Sequence, residues 1–171
     1  LFPFPKDETF AAARGNMVII DDVIYAVCYN RWAVTWLEKS EDFGRSWEVV
    51  SWLDERLWTN QIECGRINEA SLGYYDGKMY VVGRQQSENG DNRLEIGVSE
   101  DLGVTWTWSF LPIEGHAPSL TPYKDAFILT YRNVKDSNRG KYSFDTVLLK
   151  DGKLASNPAS LFESDNFDVG Y

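Results

Sequence analysis

The sequence has little positive charge. Its 171 residues include 17 Lys and Arg against 26 Asp and Glu, which gives a formal net charge of −9 and a pI of about 4.6. No stretch resembles the basic stripe of a nucleic-acid-binding protein, and we expect no nucleic-acid partner. No apolar run approaches the roughly 20 residues of a membrane-spanning helix, so no membrane span is expected either.

Histidine and cysteine are also scarce. The single histidine, His116, cannot build a His-rich zinc site, and no metal-ligand spacing occurs. We therefore expect neither a metal nor another cofactor. The two cysteines, Cys28 and Cys64, allow at most one internal disulfide, and we interpret both as buried strand or turn residues. The chain opens on Leu1 without a secretory apolar segment, so we expect sequence upstream of it.

Aromatic residues, by contrast, make up 15% of the chain, and they favour strands and flat ligand-stacking surfaces. Short apolar runs alternate with turn signals, and no stretch longer than about ten residues has helical periodicity. The pattern predicts an all-β chain of three units with four strands each. The predicted strands are 17–20, 23–30, 33–39 and 47–52; 70–75, 78–84, 93–99 and 106–111; 117–123, 126–133, 141–149 and 158–164. Repeats of this kind are typical of propeller blades.

An octapeptide occurs twice, as SEDFGRSW at 40–47 and as SEDLGVTW at 99–106. Each copy lies between the third and fourth strands of its unit. An Asp in a tight turn accepts backbone hydrogen bonds, and a Gly two residues later can adopt positive φ. The closing Trp can pack between neighbouring units. We therefore interpret Asp42 and Asp101 as structural residues of a turn.

The pattern S-x-D-x-G-x-[ST]-W resembles the Asp-box, or BNR repeat, of sialidases and several other propeller proteins. This resemblance implies a sialidase-type β-propeller with four-stranded antiparallel blades, six of them when complete. The blades span roughly 10–60, 66–112 and 115–164, and the next begins at 165–171. Residues 1–171 are therefore expected to form a partial propeller domain.

Candidate site residues follow from the segment NEASLGYYDGKMYVVGR at 68–84. Glu69 opens its first strand and Arg84 closes the return strand, so both are expected at one end of the hairpin. The next unit repeats the geometry and ends its second strand at Arg132, and Tyr171 follows at the opening of the next blade. In sialidases a Glu, two Arg and a Tyr occupy similar positions.

The resemblance implies hydrolysis of sialic-acid-containing glycans. Arg84 and Arg132 would clamp the sialic-acid carboxylate, because guanidinium groups bind carboxylates bidentately and keep their charge. Tyr171 would be the nucleophile that sialidases use in place of a carboxylate. Because the phenol pKa is near 10, it needs a base, and Glu69 would fill that role. The family also implies a secreted, cell-surface or phage-virion location.

Several alternatives stay open. The first clamp Arg and the acid/base Asp of sialidases have no match, so this polypeptide alone is expected to be inactive. The Arg84-to-Arg132 spacing also resembles that of phage endosialidases, which lack the Tyr nucleophile. A non-catalytic propeller that binds glycan or protein is a further alternative. A propeller glycosidase with a carboxylate pair for neutral polysaccharide is another, and it predicts that the two Arg do not converge. His116 and Tyr131 are interpreted as packing or rim residues.

Overall fold

The computed structural model describes residues 11–13, 16–30, 34–53, 66–86, 92–134 and 141–165. Every regular element in these ranges is a β-strand, as the sequence predicts, and no helix long and apolar enough to cross a membrane occurs among them. The strands are β1 (Ala11–Ala13), β2 (Val18–Ile20), β3 (Val23–Asn30), β4 (Thr35–Ser40), β5 (Glu48–Trp52), β6 (Arg66–Tyr75), β7 (Lys78–Gln86), β8 (Arg93–Ser99), β9 (Thr107–Tyr123), β10 (Ala126–Asn133), β11 (Tyr142–Lys150), β12 (Lys153–Leu154) and β13 (Ala159–Ser164).

The strands form three antiparallel units in chain order. In unit one, β1 and β2 both pair with β3, which continues to β4 and β5. Unit two is β6-β7-β8 followed by the first half of β9, and unit three is the second half of β9 followed by β10 and β11, which β12 and β13 both join. The strand β9 therefore belongs to two units: Thr107–Glu114 pairs with β8, and Gly115–Tyr123 pairs with β10.

The predicted two-residue hairpin turns are confirmed. Ile20 pairs with Val23 across Asp21-Asp22, and both aspartates have positive φ. Tyr75 pairs with Lys78 across Asp76-Gly77, which also has positive φ at both positions. Positive φ at both central residues matches the right-handed twist of the paired strands. The two turns fix the register of units one and two, and the Asp76-Gly77 turn lies at the end of its hairpin opposite Glu69.

The repeated octapeptide closes a tight turn at that same far end. In the second copy, the Asp101 carboxylate accepts hydrogen bonds from the Thr105 amide at 2.9 Å and from the Thr105 hydroxyl at 2.6 Å. Ser99 Oγ accepts from the Gly103 amide at 2.8 Å and donates to Asp101. These bonds, with the Thr105 hydroxyl contributing most, lower the pKa of Asp101 to about 2. The first copy repeats the pattern with Ser40, Asp42, Gly44 and Ser46.

Two apolar seams join the units. The first lies between units one and two and includes Leu37, Leu72 and Met79, which are fully buried. Trp106, which closes the second octapeptide, packs against this seam, and its Nε1 donates to Ser51 Oγ on β5 at 3.1 Å. The second seam lies between units two and three and is formed by Tyr80, Val82, Leu94, Ile96, Leu111, Leu120, Phe127, Leu129, Tyr131, Val147 and Leu149. Burying each large apolar side chain contributes about 2 kcal/mol.

Of the two cysteines, Cys28 is buried on β3 with a free thiol, which donates to Glu38 Oε1 at 3.2 Å. Burial, together with Glu38, raises the pKa of this thiol to about 12. Cys28 is therefore a buried strand residue, as the sequence predicts, and its raised pKa keeps the thiol protonated and unreactive. Cys64 lies outside the described residues.

Candidate functional site

The first strands of units two and three carry matching irregularities. On β6, Asn68 pairs with Arg84 and Ser71 with Val82, so two residues, one of them Glu69, oppose a single residue of β7. On β9, a corresponding shift places Ala117 in an extra position opposite β10. Glu69 has a φ of 50° and Ala117 a φ of 51°. Such bulges redirect side chains and are common beside active sites.

The two bulges face each other, and Glu69 joins them. Its Oε2 accepts a hydrogen bond from the Ala117 amide at 2.9 Å and lies 3.8 Å from Arg84 Nη1. The two side chains are partly accessible, with 12% of Glu69 and 19% of Arg84 exposed. The carboxylate is therefore anchored across the seam between units two and three and still reaches solvent. We call this end of the two units the mouth.

A hydrogen-bonded chain extends from Arg84 across the mouth. Arg84 Nε donates to Asn92 Oδ1 at 3.2 Å, and His116 Nε2 lies 2.9 Å from the same oxygen. His116 Nδ1 in turn lies 2.9 Å from Arg132 Nη2. His116 is 7% exposed and Arg132 only 1%. The chain therefore brings both predicted clamp arginines to the same end of the sheets, one accessible and one buried.

Burial lowers the pKa of His116 to about 4, and the positive charges of Arg84 and Arg132 contribute, while Glu69 opposes the shift. The imidazole is therefore neutral in the folded protein at neutral pH. In the unfolded chain it takes up a proton below a pKa of about 6.5. Between these values the unfolded state binds more protons, so stability decreases as the pH falls from about 6.5 to about 4.

We expect this linkage to cost the wild-type protein about 2 to 3 kcal/mol of unfolding free energy between pH 7 and pH 4.5. Urea denaturation of the wild type and of His116→Gln at both pH values measures it. Carboxylates titrate in both proteins, so the difference between their pH dependences isolates the histidine. Equal pH dependences would show that His116 is not buried in its neutral form.

Other polar groups lie close to the mouth. Asn133 Nδ2, at the end of β10, donates to Asp145 Oδ2 on β11 at 2.7 Å, and Asp145 is 5% exposed. A polar cavity of about 430 Å³ opens over the same strand ends, and its lining includes Asn133, Tyr142 and Glu163. Within the described part of the chain, no three His, Cys, Asp or Glu side chains converge on a metal site.

The chain matches no known protein-family profile and no curated protein sequence. Solved structures do match its fold. The α-L-arabinanase of Penicillium chrysogenum, complexed with arabinobiose, has a TM-score of 0.72 at 15% identity over 96% of this chain and 53% of its own. The α-L-arabinofuranosidase Arb93A of Fusarium graminearum has a TM-score of 0.69 at 19% identity, over 96% of this chain and 51% of its own. The xyloglucan-locus protein GH43B of Bacteroides ovatus has a TM-score of 0.66 at 15% identity, over 85% of this chain and 29% of its own.

These neighbours are propeller-type glycoside hydrolases. The chain spans about half of the length of two of them and less than a third of the other. At this level of identity the likeness shows the fold alone, so the expectation of a partial propeller agrees with the structural neighbours. The sialidase affiliation and the six-blade count stay predictions.

Three of the four site residues that the sequence predicts, Glu69, Arg84 and Arg132, lie at the mouth, and their roles stay predictions. The fourth, Tyr171, lies outside the described residues. Sequence reasoning missed Asn92 and the Ala117 amide, and it interpreted His116 as a packing or rim residue. A signal for His116 exists: it precedes Arg132 by nearly the same spacing that separates Glu69 from Arg84. The sequence has no such signal for Asn92, which is a single polar residue before β8.

Proposed function

We propose that this chain is part of a glycoside hydrolase and that Glu69 is one of its catalytic carboxylates. The observation that carries the proposal is the Glu69 carboxylate itself, partly exposed at the mouth and fixed by the Ala117 amide across two facing bulges. A non-glycine residue with positive φ costs about 1 to 3 kcal/mol, and such strain concentrates at active sites. A carboxylate that is merely solvated needs neither the strain nor the anchor.

Glycoside hydrolysis requires carboxyl groups that are held in a fixed position. Most glycoside hydrolases use a pair of carboxyl groups, one to protonate the leaving oxygen and one to activate water or attack the anomeric carbon. Either role requires the oxygens to be held within a fraction of an ångström of the reacting atom. The hydrogen bond to Oε2 and the bulged backbone of Glu69 provide that restraint.

The substrate is a neutral glycan with arabinosyl linkages. A clamp for a sialic-acid carboxylate needs two guanidinium groups that reach the ligand, whereas Arg132 is 1% exposed and lies 2.9 Å from His116 Nδ1. Arg84 alone is partly exposed. An α-L-arabinanase and an α-L-arabinofuranosidase are among the structural neighbours. The polar cavity beside Asn133 gives room for further sugar units.

Sialic-acid glycans are the second candidate. The observation that favours them is the position of Arg84, 3.8 Å from Glu69, with Arg132 at the same mouth. In this alternative Tyr171 is the nucleophile, Glu69 its base, and a shift of His116 releases Arg132 towards the substrate carboxylate.

Product release by the full-length protein from three substrates tests the proposal: p-nitrophenyl α-L-arabinofuranoside, arabinan and a methylumbelliferyl sialoside. Arabinose release from either of the first two supports the proposal. Release of sialic acid alone selects the second candidate. Binding of these glycans without turnover would overturn both and identify a non-catalytic propeller.

A further inference from the structure

We propose that His116 is a positioning residue, a neutral imidazole in a single tautomer that fixes Arg132, Arg84 and the amide that holds Glu69. Its two ring nitrogens contact Asn92 and Arg132, and Asn92 also accepts from Arg84. The proposal rests on the proposed function for its activity measurements only.

The donor and acceptor roles in this chain follow from the chemistry of arginine. A guanidinium has donors and no acceptor. The Asn92 atom that faces Arg84 Nε must therefore be the amide oxygen, and His116 Nε2 must carry a proton to donate to it. By the same reasoning, His116 Nδ1 must be unprotonated to accept from Arg132 Nη2. Only the neutral Nε2–H tautomer satisfies both contacts.

Protonation of His116 would break this arrangement. A proton on Nδ1 would point at a guanidinium N–H 2.9 Å away, in a site where the side chains of both residues are buried. Among the described residues, the charged groups that act on the imidazole include Arg84, Glu69 and Arg132, and the two arginines together outweigh Glu69. Burial acts in the same direction, because it disfavours the charged ring.

His116 also acts on Glu69 through the backbone. The amide that holds Glu69 Oε2 belongs to Ala117, the next residue, so the His116–Ala117 peptide unit carries the anchor. Anchoring the His116 ring to Asn92, the residue before β8, and to Arg132 on β10 sets the orientation of that peptide. A loosened ring would let the amide turn, and Glu69 would lose its fixed position.

Nitrogen-15 NMR of the full-length protein with labelled histidine tests the tautomer. The spectrum of His116→Gln assigns the His116 signals by difference. We expect a protonated Nε2 and an unprotonated Nδ1 that persist from pH 8 to pH 5, where a solvent-exposed histidine would be almost fully charged. Titration near pH 6.5, or a protonated Nδ1, would overturn the proposal.

Three variants measure the positioning role. His116→Ala removes both ring contacts, and we expect kcat/KM on the preferred glycan to fall about 30-fold. His116→Asn places an amide near the Nδ1 position, and His116→Gln places one near the Nε2 position. Each is expected to recover about threefold over alanine and so to stay about tenfold below wild type. We expect the change mainly in kcat, because a displaced Glu69 slows the reaction and leaves substrate binding intact.

A kcat/KM of His116→Ala within threefold of wild type would overturn the positioning role. If the His116→Ala protein does not fold, the other two variants decide. A wild-type kcat in both His116→Asn and His116→Gln would overturn the positioning role. Failure of the wild type to cleave any glycan refutes the proposed function, while the tautomer seen by NMR still decides whether the hydrogen-bonded chain exists.

Discussion

Under the proposed function, replacing Glu69 with glutamine is expected to lower kcat of the full-length protein by about 10³-fold or more while leaving its fold intact. Glutamine keeps an oxygen that can accept from the Ala117 amide, which lies 2.9 Å from Glu69 Oε2. It loses the proton-transfer and nucleophilic capacity of the carboxylate. Initial rates on the preferred substrate, together with thermal unfolding of both proteins, measure the two effects separately.

Glu100→Gln is the matched control. Glu100 is an exposed carboxylate at the far end of the same unit, where it pairs with Lys78. This variant removes one charge as Glu69→Gln does, and we expect its kcat to stay within twofold of wild type. If Glu69→Gln also keeps most of its kcat, Glu69 is not catalytic and its strained backbone serves only to join the two units.

Replacing Gly103 with alanine is expected to destabilise the protein by about 3 kcal/mol or more, the largest effect on stability that we predict for a single methyl group. Gly103 has a φ of 88° in the second octapeptide turn. A methyl group there would overlap Leu37 Cδ2, and Leu37 is fully buried in the first seam. The free-energy costs of backbone strain and of overpacking in the first seam therefore add. Urea unfolding at neutral pH measures the loss.

Gly44→Ala separates the two contributions. Gly44 occupies the same position of the first octapeptide turn with a φ of 81°, but the nearest atom to an added methyl group, in Trp47, lies at an ordinary 3.6 Å. We expect about 1 to 2 kcal/mol of strain here. Equal losses for the two variants would show that Leu37 moves aside at no cost and that the seam is loosely packed.

The strand pattern and the repeated octapeptide were sufficient to predict an all-β chain of successive antiparallel units, while the blade count and the sialidase type stay predictions. Alternation of apolar residues, the Asp-Asp and Asp-Gly turns and the two octapeptides are local signals, and local signals determine strands and hairpins. Glu69 and Arg84 could be placed together for the same reason, because a hairpin returns the chain to its starting end. The position of Arg132 could be predicted because the third unit repeats the hairpin geometry of the second.

The remaining features of the site depend on contacts between units. Nothing in the sequence shows that β6 and β9 bulge at matching positions, so the bond from the Ala117 amide to Glu69 could not be foreseen. The burial of Arg132 is also a packing result, since a strand-terminal Arg is usually exposed. His116 is buried, as a packing residue is, but its contacts with Asn92 and Arg132 join different strands, and only its spacing from Arg132 indicated them.

The continuous strand β9 has a consequence for how such a chain changes during evolution. Chains gain and lose segments where exposed loops can be cut or lengthened. Between Glu114 and Gly115 the backbone passes from unit two to unit three without leaving the paired strand. An insertion there would disrupt the ladders on both sides. Units two and three, with the mouth that they share, are therefore expected to be inherited, duplicated or lost together.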